Sequence, residues 1–266
     1  KIVGSVRCVY ETASIMSKKI AAGADGIVLD VKCGSGAFMK TQKDAEALAH
    51  IMVEMGQHVG RKVTAIISGM DQPLGMYIGN SLEVMEAMEV LKGNVKGDLL
   101  EVSLLLGAHM LLLAGRVQTE AEGKALLQQQ IDNGAGIAKF SELLIQQGGN
   151  PAIIEQPDLL PLSPCSLEVK AKKSGYLTHM DTAKIGRASQ ETGAGRAFKE
   201  QPLDFGAGII TKKRLGDYVE VGEVLAVIYS ATDKACASAA EIFQSALTIS
   251  AEKAPLPPLV LNIISA

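Results

Sequence analysis

Three features of this 266-residue sequence predict an α/β fold, a central parallel sheet flanked by helices with a smaller α+β domain behind it. First, the β-branched run Ile27-Val28-Leu29-Asp30-Val31 leads into a glycine-rich loop and then into a segment with Ala45, Leu48, Ala49, Met52 and Met55 at helical spacing. Second, the apolar run 63–67 (VTAII) closes strand, helix and strand into a crossover whose two strands must run parallel. Third, beyond a proline-rich stretch the chain turns to short strands punctuated by Gly175, Gly216 and Gly222.

The opening residues 11–22 are good helix formers and predict a helix, ended by the turn Gly23-Ala24-Asp25-Gly26 before the first strand. From Asn80 the chain reads as helical: Leu82, Met85, Ala87 and Met88, then a buried helix over 99–114, then a helix capped by Thr119 with Glu122 three residues on. A further helix is expected over 135–147. Pro151, Pro157, Pro161 and Pro164 remove donors and fix φ, so no regular element is expected there, and 151–165 is read as a linker. Behind it, 167–169, 208–210, 218–221 and 224–228 read as strands, 233–246 as a helix and 259–264 as a last strand. The domain limits that follow are 25–150 for the α/β domain and 166–266 for the α+β domain.

Composition narrows the function. The chain is 47% hydrophobic and 21% charged, which excludes a disordered protein. A net charge of -3 gives no global attraction to a nucleic acid backbone or an anionic membrane, so any anion must be held locally. Cys8, Cys33, Cys165 and Cys236 have neither zinc-ligand nor disulfide-framework spacing, and a reduced, cytoplasmic chain is expected. The longest apolar stretch, 104–114, is too short for a membrane span. The sequence opens on Lys1 without a signal-peptide pattern and is expected to continue a longer gene product.

Three constellations have chemical content. Ser14 and Lys18 are four apart on the opening helix and share a face, so a hydroxyl and an ammonium can grip one oxygen-bearing planar ligand; a capping serine and a solvated lysine pair with Lys19 is the alternative. Lys32-Cys33-Gly34-Ser35-Gly36-Ala37-Phe38-Met39 places bare backbone directly after a parallel strand, with Phe38 able to stack on a ring; a tight strand-to-helix turn is the alternative. Asp71-Gln72-Pro73-Leu74-Gly75 followed by Glu86 offers loop carbonyls and a carboxylate to a hard monovalent cation; turn chemistry around Pro73 is the alternative. His50, His58, His109 and His179 stand apart from any nucleophile arrangement. Met16, Met52, Met55, Met85, Met88 and Met110 read as core filler, and Lys212-Lys213-Arg214 as a solvated hairpin tip.

The strings 14–25 (SIMSKKIAAGAD), 27–32 (IVLDVK) and 34–39 (GSGAFM) together resemble the pyrimidine-nucleoside phosphorylases, with the thymidine phosphorylases as close relatives. Asp71 to Gly75, Gly79-Asn80, Leu82 to Glu86, Asp181-Thr182, Gly193-Ala194-Gly195-Arg196 and Gly216 to Ser230 extend the resemblance from about residue 14 to the C-terminus, while residues 1–13 stand outside it.

The resemblance implies phosphorolysis: phosphate attacks the anomeric carbon of uridine, thymidine or deoxyuridine and releases the base and a pentose 1-phosphate. It implies that Ser14 and Lys18 bind the base, that Lys18 meets the negative charge developing on it, and that Phe38 lines the pyrimidine pocket. It further implies a potassium ion held by Leu74, Tyr77 and Glu86, no organic cofactor, phosphate as co-substrate, and a homodimer built through a helical domain of which 1–24 is the remnant. The family's phosphate loop, with its Lys, Ser, Thr and His, precedes the part that this sequence matches. Two other readings stand beside this one: a pyrimidine-binding fragment without turnover, and a biotinyl- or lipoyl-like carrier suggested by Gly216 to Leu225, which lacks a lysine in the exposed hairpin position those groups need.

Overall fold

The structure, a computed structural model, describes residues 14–265. These form two compact units, each assembled from separate stretches of chain: 14–70, 98–129 and 258–265 in the first, 71–97 and 130–257 in the second. The compact units therefore do not follow contiguous limits such as 25–150 and 166–266.

The first unit begins with α1 (14–21), of which residues 11–13 of the expected helix lie outside the described residues. Met16 is fully buried from it. The strand β1 (Gly26–Cys33), the helix α2 (Gln42–His58) and the strand β2 (Lys62–Gly69) are the expected crossover, with β1 and β2 parallel from Gly26↔Lys62 to Cys33↔Gly69. Thr41 caps α2 by accepting the Asp44 amide at 3.2 Å. Ala45, Leu48, Ala49, Met52 and Val53 of α2 then bury one helical stripe against Ile27, Leu29, Val31 and Val63 of the strands. The final strand β10 (Val260–Ser265) adds to the other edge of β2, antiparallel, giving the order β1-β2-β10. Its strand character is legible in sequence; its partner is not, since β10 is 191 residues or more from β2 in the chain and any open edge satisfies its donors.

The helix α4 (Asp98–Leu113) covers β1, burying Val102, Leu105 and Ala108. It is not buried throughout: Met110 is 55% exposed, and that methionine is surface rather than core filler. The helix α5 (Glu120–Asp132) starts with the expected reciprocal cap, Glu122 N–H donating to Thr119 Oγ1 at 3.2 Å and Thr119 N–H to Glu122 Oε2 at 3.3 Å.

The second unit holds β3 (Tyr77–Gly79), α3 (Asn80–Leu91), α6 (Ala135–Gln146), β4 (Cys165–Lys170), β5 (Gly175–Met180), α7 (Thr182–Glu191), β6 (Gly208–Thr211), β7 (Tyr218–Val219), β8 (Val224–Ser230), α8 (Asp233–Ser245) and β9 (Leu247–Ser250). Its strands make two sheets, β3-β6-β8-β4 and β7-β5-β9. The core gathers Leu177, Ile185, Ile209, Leu225, Ile228 and Phe243. The proline-rich stretch carries two short 3₁₀ turns, Pro151–Ile154 and Pro157–Leu159, where a loop was expected. Proline at the first position pre-sets φ there and loses only an amide that would have no partner, and the Asn150 side chain accepts the Ala152 amide at 3.0 Å. β7 and β8 enter different sheets, so Tyr218 to Ile228 is not a hairpin. Among the described residues no helix is long and apolar enough to cross a membrane.

Candidate active site

The carboxyl end of β1 opens into residues 34–39, and backbone bonds give this loop its shape. Gly34 N–H donates to Met39 O at 3.0 Å, Ala37 N–H to Gly34 O at 3.1 Å, and Gly36 N–H reaches Met70 O, just past β2, at 2.9 Å. Met70 N–H returns to Cys33 O at 2.6 Å, and Lys40 Nζ holds Ser35 O at 2.8 Å. On this frame Ala37 turns inward and Phe38 stands 67% exposed, an aromatic face offered to solvent rather than spent on a core. Carboxyl ends of parallel strands are where sheets of this kind meet ligands.

Ser14 and Lys18 share the exposed face of α1, opposite the buried Met16. Among the described residues neither side chain hydrogen-bonds to another; Ser14 contributes its carbonyl to Ser17 Oγ at 3.1 Å. The helix leads into the amino end of β1, and Phe38 follows its carboxyl end. Ser14 and Lys18 are thus together on one helix face, while Met16 of the same helix and Met39, the neighbour of Phe38, join one core cluster.

In the second unit the predicted cation ligands converge on one carboxylate. Glu86 of α3 is 5% exposed and accepts Met76 N–H at 2.7 Å and Tyr77 N–H at 3.2 Å. Gly75 passes so close over it that a β-carbon there would stand 2.2 Å from Oε2. No basic side chain pairs with Glu86 among the described residues. Burial and the Glu86 charge both push the Tyr77 phenol up. One buried carboxylate beside loop carbonyls suits a monovalent cation; no group of three or more His, Cys, Asp or Glu side chains that a divalent ion would prefer exists among the described residues. The residues fit, with one qualification: Arg214 Nη1 donates to Leu74 O at 3.3 Å, so an ion would share that oxygen with a guanidinium.

Arg214 is therefore not a solvated hairpin tip. It reaches back to Leu74 O and to Met76 Sδ at 3.6 Å, while Lys213 pairs with Glu223. Nothing in a three-residue basic run announces a target 140 positions away. The sequence reading also passed over Asp30 and Ser68, which form a polar ring with Lys32 at the carboxyl ends of β1 and β2. The available signal was alternation: in a strand, Asp30 and Lys32 fall on the face opposite Leu29 and Val31.

Comparison with known proteins gives two family matches. A family described as glycosyl transferase family, a/b domain, matches residues 2–137, and the pyrimidine nucleoside phosphorylase C-terminal domain matches residues 176–250. The first match includes residues 2–13, which the resemblance had left out. Pyrimidine-nucleoside phosphorylases from Staphylococcus aureus strains RF122 / ET3-1, USA300 and NCTC 8325 / PS 47 are each 52% identical to the chain over 230 residues, 86% of this chain and 53% of theirs. The chain spans about half the length of these curated relatives.

Proposed function

The chain belongs to the pyrimidine-nucleoside phosphorylase family of glycosyl transferases, and from that premise we propose that it serves the phosphorolysis of uridine, thymidine and deoxyuridine. A phosphate oxygen forms a bond to the anomeric carbon as the bond from that carbon to the pyrimidine nitrogen breaks. The electron pair leaves with the base, and the products are the free pyrimidine, after protonation, and a pentose 1-phosphate. The observation that carries this reading is the 52% identity over 230 residues to proteins of that name.

In this reading Phe38 stacks on the pyrimidine, Ser14 orients it by hydrogen bonding, and Lys18 supplies the positive charge that stabilises the departing base as its ring oxygens become negative. The exposure of all three supports the assignment, because a ligand meets them without displacing core. Leu74, Tyr77 and Glu86 hold a potassium ion, whose chemistry is to neutralise the buried carboxylate and brace the loop 71–77. No organic cofactor takes part. A homodimer and a cytoplasmic setting complete the proposal; Cys165 and Cys236 are free thiols, as a reducing compartment keeps them.

The test is phosphate-dependent release of uracil from uridine and of thymine from thymidine by this polypeptide with potassium present. Turnover establishes the reaction for this chain. Binding of uracil without turnover assigns the chain the base-holding role alone, and no binding of either base refutes the reading.

A further inference from the structure

Lys32 is a cation at the carboxyl end of β1 that the roles above leave unused. Its register partner on β2 is Ser68, and Asp30 lies two residues back on the same strand, so all three side chains stand on one face of the sheet. Lys32 Nζ is 2.7 Å from Asp30 Oδ2 and donates to Ser68 Oγ at 2.8 Å, and Ser68 Oγ donates to Asp30 Oδ1 at 2.5 Å. Ser68 is fully buried, and its single hydroxyl proton goes to Asp30. Its oxygen is therefore left to accept from the ammonium, which fixes the direction of every bond in the ring.

An ammonium has three N–H donors. The ring takes two, and the third has no partner among the described residues. The Lys32 side chain is 24% exposed, so it reaches the surface, one residue short of the end of β1 and immediately before the loop that carries Phe38. The other lysine at this end, Lys40, is engaged with Ser35 O. A donor held on two sides by a carboxylate and a hydroxyl cannot swing, and a charged donor favours an anionic oxygen over a neutral carbonyl.

We infer that Lys32 is a further substrate-binding residue, whose third N–H donates to an anionic oxygen of the pentose phosphate, with Asp30 and Ser68 as the positioning residues that aim it. This rests on the phosphorolysis reading. It divides the labour at the loop: Phe38 meets the flat base and Lys32 the charged sugar.

Calorimetric titration of the chain with ribose 1-phosphate and, separately, with uracil tests it. Lys32→Met keeps the apolar stem and removes the donor; ribose 1-phosphate affinity is expected to fall about tenfold or more while uracil affinity holds. Equal losses for both ligands, or an unchanged ribose 1-phosphate affinity, overturn the inference, as does a wild-type chain that binds uracil and not ribose 1-phosphate. A wild-type chain that binds neither overturns the phosphorolysis reading, and this inference falls with it. Should Lys32→Met not fold, acetylation of wild-type Lys32 read by mass spectrometry gives the same decision: ribose 1-phosphate protects the ammonium and uracil does not, and absence of that difference refutes the assignment.

Discussion

Phe38 in the first unit is 67% exposed on a loop shaped by backbone bonds, whereas Glu86 in the second is 5% exposed with two backbone amides donating to it. A side chain of the first kind, mostly in solvent, has little buried area to lose when it is changed. One of the second kind serves as ligand and as part of the frame at once. Removing it orphans Met76 and Tyr77 N–H groups whatever else it does. The difference teaches that a loss of activity means different things in the two units, and that stability must be measured beside it.

The contrast is open to attack at several places. The largest effect is expected at Gly208, where φ is +152° and a β-carbon would stand 2.2 Å from Ile78 O across the β3–β6 pair. Gly208→Ala should cost about 3 kcal/mol or more in a denaturant titration, and a loss within 1 kcal/mol would show that this backbone yields. Glu86→Ala should follow at about 1–3 kcal/mol, the cost of two amides left without their acceptor. If Glu86→Ala is as stable as the parent, the carboxylate is no part of the frame and the comparison breaks.

Phe38→Ala, by contrast, should leave stability within about 0.5 kcal/mol while uracil affinity drops several-fold with the lost stacking. A drop in melting temperature larger than the drop in affinity would reverse the roles assigned to the two units. Lys18→Ala should weaken uracil binding far more than Lys19→Ala, since only Lys18 shares the Ser14 face; equal effects would remove Lys18 from the site.

The smallest effect is electrostatic. The Lys124 hydrogen bond, with a lesser contribution from His109, holds the Glu120 carboxyl below its ordinary range against the opposing pull of burial. A carboxyl depressed in the folded state contributes stability that is fully present above its unfolded pKa and is lost as pH falls through the folded one. Glu120→Gln should therefore cost about 0.5 kcal/mol at neutral pH, screened by solvent at this partly exposed position, and nothing once the pH is below the carboxylate range. Melting curves at the two pH values that show the same difference would dismiss the pair.

Much of the first unit was legible in the chain, because its crossover is local: β1, α2 and β2 lie within residues 26–69, each with a run long enough for its period to show. The second unit was harder. β3 and β9 have three and four residues, too few for alternation to register, and β5 begins at Gly175, which reads as a breaker. The helix α7 is short and largely polar, with Gly186 within it, although Asp181 caps it by accepting the Lys184 amide at 3.1 Å. At the sites, the i, i+4 spacing of Ser14 and Lys18 and the position of Phe38 after a strand were visible in order. The Arg214 contact to Leu74 O and the Ser68 contact to Lys32 were not, since each joins residues far apart in the chain.

By itself the sequence determined the elements of the first unit's crossover, the family and the chemical types available: an ammonium and a hydroxyl on one helix face, an aromatic on a glycine loop, a carboxylate near loop carbonyls. Propensity, periodicity and capping act over a few residues and are written where they act. Only the tertiary structure decided that β10 returns to the sheet of β1 and β2, that the units are assembled from interleaved stretches, and that Lys32 is locked by Asp30 and Ser68 with one donor to spare. Those outcomes depend on which open edge and which buried polar atom finds a partner in space. A chain order that places Ser68 36 positions from Lys32 carries no mark of that choice.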